Sequence, residues 1–366
     1  MKKGVSFLLY TVKISSLFKD KAYAFSQTGN TEDDCHFASK VLEKIEPNFD
    51  IKNINLLGVY EHFDVYSIIG ENNEHFKLKI SLSDPQKVLS REVTALRSLS
   101  KTSVVPKLSK HGKVKVGEDI TYLLTKAPHG ENIRNYGRSV ILQNLDKLLE
   151  NYFELGRSRN VRSTYKSIIT PFLEQSVPSK FLPTDSLEAF KEYTDYDKCE
   201  TFLINLKEEM KDLLDIITPD FKHKCHGALS LDSVFFNGEN FYFDDLHNVC
   251  MGHPFLDFAD LMLESGVPKD MDYELFQKFC RKGEIEHRHS LYNSMYYFQL
   301  RKKLAELIIN YITEIYIYDS YRYEKILEIA DTFSHNYERF CKVEIFKEHR
   351  EFIMKTICEP IFGVKA

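Results

Sequence analysis

Several familiar sources of chemistry are missing from this chain. It has no G-x-x-x-x-G-K-[ST] loop, so bound phosphate needs another kind of cradle, and no G-x-S-x-G elbow to present a nucleophilic serine. There is no basic excess either: the net charge of -5 argues against a general nucleic-acid binder, which masses Lys and Arg on one face. The 7 cysteines are scattered and odd in number, which does not make a disulfide framework and points to a reducing, cytoplasmic setting. His223, Cys225, His226, His247, Cys250 and His253 fit no standard C-x-x-C or H-x-x-x-H zinc spacing, and read as core and loop residues. No internal repeat or low-complexity tract is present.

No membrane span is expected. The longest apolar run, "LAELIINYITEIYIY", carries Glu306 and Glu314, and its Leu304, Leu307, Ile308, Tyr311, Ile312 and Ile315 follow helical spacing, as in a soluble core helix. At the N-terminus, early lysines, a short apolar run and Ala22-Tyr23-Ala24 imitate a signal peptide. That run breaks at Lys13, however, and Lys19, Asp20 and Lys21 precede the supposed cleavage site, so residues 1–34 read as a polar leader.

What remains is an ordinary globular composition, 43% hydrophobic and 28% charged, in 366 residues, enough for a two-lobed fold. "IKNINLL", "FDVYSII", "HFKLKISL" and "ITYLLTK" read as strands, separated by turn residues and interrupted by the helix "VLSREVTALRSL". From Ser139 the pattern turns helical, with Leu142, Leu145, Leu149, Tyr152 and Phe153 on one stripe. "SVFFNGENFYFDD" then interrupts as a hairpin turning at "NGEN". The expected architecture is α+β: a β-rich N-lobe over 35–129, carrying one helix, and a larger, mainly helical C-lobe over 130–366.

Three local patterns carry chemistry. In "FKLKISL", Phe76, Leu78, Ile80 and Leu82 share one face of a strand, while Lys77, Lys79 and Ser81 point to the other, where the two lysines offer ammonium groups to a cleft. In the following helix Leu89, Glu92, Val93 and Leu96 fall at i, i+3, i+4 and i+7, which sets a carboxylate on the inward stripe. A buried charge there needs a partner, and the upstream strand lysine is the natural one. Further on, Asp244 and Asp245 end a strand of alternating aromatics, where a carboxylate can face a cleft and hold a hard cation with phosphate oxygens.

In this order, the parts resemble the aminoglycoside phosphotransferase and choline kinase group of the protein-kinase-like fold, over roughly residues 50 to 265 by motif. The resemblance implies that Lys79 holds the α- and β-phosphates of ATP and that Glu92 is its helix partner. It makes "YLLTKAPHG", with Tyr122 and Leu124, the hinge that accepts adenine, and Asp244 the magnesium-binding acid of a D-F-G-like element. "GHPFLDFAD" resembles the family's G-x-P-x-x-D-x-A segment, with Asp257 as a structural acid.

The catalytic loop departs from the family's H-G-D-x-x-x-x-N. His226 and Gly227 are followed by Ala228, which has no acid or base, and Ser233 stands where an asparagine would hold a second magnesium. The phosphate-covering loop offers Gly58 alone. Asp232, four residues after Ala228, could supply a displaced carboxylate or serve as a loop-capping residue. The reading is therefore a pseudokinase that keeps ATP and Mg binding, with an unknown small-molecule or protein ligand. The alternative is an active ATP-dependent phosphotransferase, or a nucleotidyl transferase, acting on a small-molecule hydroxyl. Acids and aromatics in "DMDYELF", "GEIEHRH" and "YIYDSYRY" are candidates for an acceptor surface.

Overall fold

The computed structural model describes residues 31–317 except for 60–62, 83, 85–86, 127–129, 137, 157–160, 162, 175–195 and 266–268. Helix α1 (Thr31–Ile45) leads into strands β1 (Ile51–Val59), β2 (Asp64–Gly70) and β3 (His75–Ser81). Helix α2 (Val88–Ser98) follows, then β4 (Lys107–Val116) and β5 (Glu118–Lys126). The five strands form one antiparallel sheet in the order β1-β2-β3-β5-β4. Strand β4 was not among the strands expected from the sequence. It is an edge strand whose Lys107, Lys110, Lys113 and Lys115 dilute the apolar alternation, and lysines of this kind keep an unpaired edge from pairing with another chain.

One face of the sheet is closed by α1: Ala38, Val41, Leu42 and Ile45 pack on Tyr66, Ile68, Leu78, Ile80, Ile120 and Leu124. The apolar face of β3 is thus core, which leaves its lysines on the opposite side. Across the β3–β5 ladder Lys77 stands beside Thr125 and Lys79 beside Leu123. Directly paired residues share a face, so Leu123 and Thr125 line the lysine side, while Leu124 joins the α1 core and Tyr122 packs against it.

After β6 (Glu131–Asn132) come α3 (Arg138–Gln143), α4 (Leu145–Leu155), α5 (Tyr165–Glu174) and α6 (Tyr196–Ile217). Next are β7 (His223–Cys225), the hairpin β8 (Val234–Phe236) and β9 (Phe241–Phe243), and β10 (Cys250–Gly252). Helices α7 (Pro254–Ser265), α8 (Lys269–Gly283) and α9 (His289–Ile317) complete the described chain. The architecture is α+β, a five-stranded antiparallel sheet followed by a mainly helical region. The hairpin turns at the expected "NGEN", where the Asn237 side chain accepts from the Asn240 N–H at 2.8 Å.

Contacts divide the chain into two compact units. One comprises the residues up to 163 with 223–251 and 273–285; the other comprises 164–222, 252–272 and 286 onward. The first therefore holds the sheet, the β8–β9 hairpin and most of α8, whose Phe279 ring lies 5.0 Å from that of Phe153. In the second, α9 packs against α6 and α7, with the Tyr292 ring 5.8 Å from Phe255. No described helix is long and apolar enough to cross a membrane.

Candidate functional site

The lysine face of β3 carries the centre of the site. Lys79 is 2% exposed, and its Nζ lies 2.8 Å from both Glu92 carboxylate oxygens and 2.7 Å from Asp245 Oδ1. The helical stripe of α2 thus delivers Glu92, itself 1% exposed, to the partner that its burial demands. Lys77 projects from the same face and bonds Asp244 Oδ2. Both ammonium groups also lie over aromatic rings: Lys79 is 5.3 Å from the Phe63 centroid and Lys77 is 5.4 Å from that of Phe235.

The two aspartates are held from behind by the loops of the same unit. Asp244 N–H donates to the Ser233 carbonyl at 2.8 Å, and the Asp244 carbonyl lies 2.7 Å from His226 Nε2. Asp245 adopts a left-handed conformation, φ 56°, which ends β9 and swings its carboxylate toward Lys79, and its N–H donates to Asp244 Oδ1 at 2.8 Å. Gly227 has φ 84°, and a side chain there would collide with the Asn248 carbonyl, so this loop position requires glycine.

Electrostatically, the cluster sets three carboxylates against two ammoniums. Burial works against the Lys79 cation, but Asp245 and Glu92 outweigh it and hold the ammonium charged. Burial likewise opposes the Asp245 charge, yet Lys79 and Lys77 keep that carboxyl below the usual carboxylate range. Burial pushes the Glu92 carboxyl up to about 7 against the pull of Lys79. It also drives His247 down to about 3, helped by the Lys79 charge, so that imidazole stays neutral.

Not every residue marked in the sequence enters this cluster. Ala228 is half-buried in the turn after β7. Asp232 is exposed and bonded by Arg134, whose Nη2 lies 2.7 Å from Oδ2. The Ser233 hydroxyl turns back on Ser230, donating to its carbonyl at 2.8 Å and accepting from its N–H at 3.0 Å, which caps the short 3-10 turn Leu231–Ser233. Tyr122 and Leu124 lie on β5, on the sheet face away from the lysines. Residues 127–129 of the hinge, 60–62 of the phosphate-covering loop, the leader up to 30 and the tyrosine-rich tail from 318 lie outside the described residues. Asp257 is fully buried in the first turn of α7, within the second unit.

Lys77 and Asp245 are the members that sequence reasoning did not assign. The signals were there, since Lys77 alternates with Lys79 and Asp245 doubles Asp244, but their partners lie 166 or more residues away in sequence.

The carboxylates of Glu92, Asp244 and Asp245 lie within 4.8 Å of one another, a spacing that could bracket a cation. Each of them, however, is already bonded by a lysine ammonium, and Ser233 is committed to Ser230. Magnesium takes oxygen donors at about 2.0–2.1 Å, commonly one or two carboxylates with water and phosphate oxygens, so a cation here would compete with the lysine ammoniums for these carboxylates.

No protein-family model and no curated protein matches the sequence. Solved structures do, and the fold they share with this chain is that of aminoglycoside phosphotransferases and choline/ethanolamine kinases. The aminoglycoside phosphotransferase APH(2")-IIia, in complex with GDP and kanamycin, aligns at 13% identity over 82% of this chain and 98% of its own, with a TM-score of 0.54. A choline/ethanolamine kinase family protein from Mesorhizobium loti aligns at 15% identity over 86% of this chain and 98% of its own, also at 0.54. Amicoumacin kinase hAmiN, in complex with AMP-PNP, Ca2+ and Ami, aligns at 13% identity over 74% and 85%, at 0.52. At these identities the likeness establishes the fold alone.

Proposed function

We infer that this protein is a nucleotide-binding pseudokinase of the aminoglycoside phosphotransferase and choline kinase type: it binds ATP but does not transfer its phosphate efficiently. The observation that carries the reading is the Lys79–Glu92 ion pair, bidentate and buried, beside a loop in which Ala228 has no proton acceptor. In kinase chemistry this lysine and its helix glutamate must be in place for the phosphates to be held, while the loop acid handles the substrate hydroxyl proton. A chain that keeps the first and lacks the second retains binding and loses a contribution of about 10²- to 10⁴-fold in rate. The nucleotides bound by the similar structures, GDP and AMP-PNP, support a nucleotide as ligand, and their kanamycin and Ami ligands support a small molecule as a second one. A protein partner would serve a scaffold in its place, and the reading includes a cytoplasmic location.

Incubation with γ-labelled ATP and a panel of choline, ethanolamine and aminoglycosides tests the transfer half of this reading. No labelled acceptor is expected, and labelled product at ordinary kinase rates would refute it. The same ion pair favours a second reading, an active phosphotransferase or nucleotidyl transferase acting on a small-molecule hydroxyl, with Asp232 as base. That reading requires Asp232 to leave Arg134, and it predicts acceptor labelling, from γ-labelled ATP for phosphoryl transfer or from α-labelled ATP for nucleotidyl transfer, that Asp244→Ala and Asp232→Asn both abolish.

A further inference from the structure

The β3 strand brings two lysines, not one, to the carboxylates of this site. Lys79 satisfies Glu92 and Asp245. Lys77, 13% exposed, bonds Asp244 on Oδ2 while its ammonium packs over Phe235, and Asp244 Oδ1 is taken by the Asp245 N–H. A dication entering here would meet two ammonium groups in a buried site and would have to displace at least one of them. Lys77 and Lys79 together bring two positive charges to the three carboxylates, delivered by side chains anchored in a central strand. The Asp244 carboxyl accordingly stays below the usual carboxylate range: burial opposes its charge, and Lys77 and Lys79 outweigh that.

We propose that Lys77 is a tethered cation that takes the place of a divalent metal at Asp244, so that a nucleoside triphosphate binds this cleft without metal. This rests on the nucleotide-binding reading above. Once phosphate enters, the two ammoniums can donate to its oxygens, and ammonium–phosphate hydrogen bonds need no bridging ion. The three carboxylates keep the lysine heads gathered at one place on the strand until then.

Calorimetric titration of the full chain with ATP, once in excess EDTA and once in millimolar magnesium, tests this directly. The expected result is binding in EDTA with a Kd within about twofold of that in magnesium, a difference of under ~0.5 kcal/mol. In Lys77→Met, binding in EDTA weakens by about tenfold or more, the scale of a lost hydrogen bond to a charged group, and magnesium restores part of it. Binding that tightens about tenfold or more on adding magnesium to the unsubstituted protein would overturn the proposal and leave the nucleotide reading standing. Absence of binding in both buffers would overturn both. The comparison on the unsubstituted protein decides the matter even where Lys77→Met folds poorly.

Discussion

Lys79 Nζ is equidistant, at 2.8 Å, from the two carboxylate oxygens of Glu92, and the two side chains are 2% and 1% exposed. A pair so buried is costly to break, because whichever partner survives is an uncompensated charge in a low-dielectric site. Lys79→Met is therefore expected to destabilise the protein by roughly 3–5 kcal/mol in urea unfolding, whereas Lys79→Met with Glu92→Met recovers much of that loss. Equal losses in the single and double variants would show that the pair is not electrostatically coupled.

The catalytic loop makes a prediction about gain of activity. Ala228→Asp with Ser233→Asn is expected to raise ATP turnover by about 10²- to 10⁴-fold over the unsubstituted protein, in a steady-state assay with any accepted hydroxyl or with water. The same change removes the Ser230–Ser233 capping interaction, at a stability cost of about 1 kcal/mol. Turnover that stays at background would mean that more than the loop has been lost.

Gly227 is a conformational requirement of that loop. With φ 84° and the Asn248 carbonyl against its open side, Gly227→Ala is expected to cost about 2 kcal/mol or more, seen as a lowered melting temperature. Gly238, at φ 95° in the hairpin turn, has open space on its side-chain direction. Gly238→Ala should carry backbone strain alone and cost less.

In the second unit, Asp260 is 1% exposed, with Lys303 Nζ 3.5 Å from Oδ1. Burial raises its carboxyl from 3.8 to about 6, despite Lys303 and Lys302. The folded state then holds a proton that the unfolded chain has released, so stability falls as pH rises from about 4 to about 6, by up to about 3 kcal/mol. Glu92 and Asp64, whose carboxyls burial also raises, contribute a fall of the same sign, so Asp260→Asn should reduce the slope of the unfolding free energy across that window without abolishing it. An unchanged slope would assign the pH dependence to other groups.

Much of this arrangement was legible in the sequence, where a strong period coincided with an outlier. Glu92 on an apolar stripe and lysines alternating against Phe76, Leu78 and Ile80 mark the α2–β3 pair in the sequence itself. The hairpin was marked by paired aromatics around "NGEN". Edge strand β4 was not legible, because lysines replace its apolar alternation. Helix α1 was overlooked although Ala38, Val41, Leu42 and Ile45 follow helical spacing. That Tyr122 and Leu124 face the α1 core follows from the β3–β5 register, a tertiary fact. The Lys77–Asp244 and Lys79–Asp245 bonds depend on how the hairpin meets the sheet, which no local pattern specifies.

The most direct test of the account is the melting temperature of the unsubstituted protein as ATP is raised into the millimolar range, with ADP formation followed in the same samples. A nucleotide-binding pseudokinase gives a melting temperature that climbs with ATP, reaching a stabilisation of about 2.7 kcal/mol at one hundred times Kd, while ADP stays at the buffer rate. A melting temperature that does not move at millimolar ATP would contradict it.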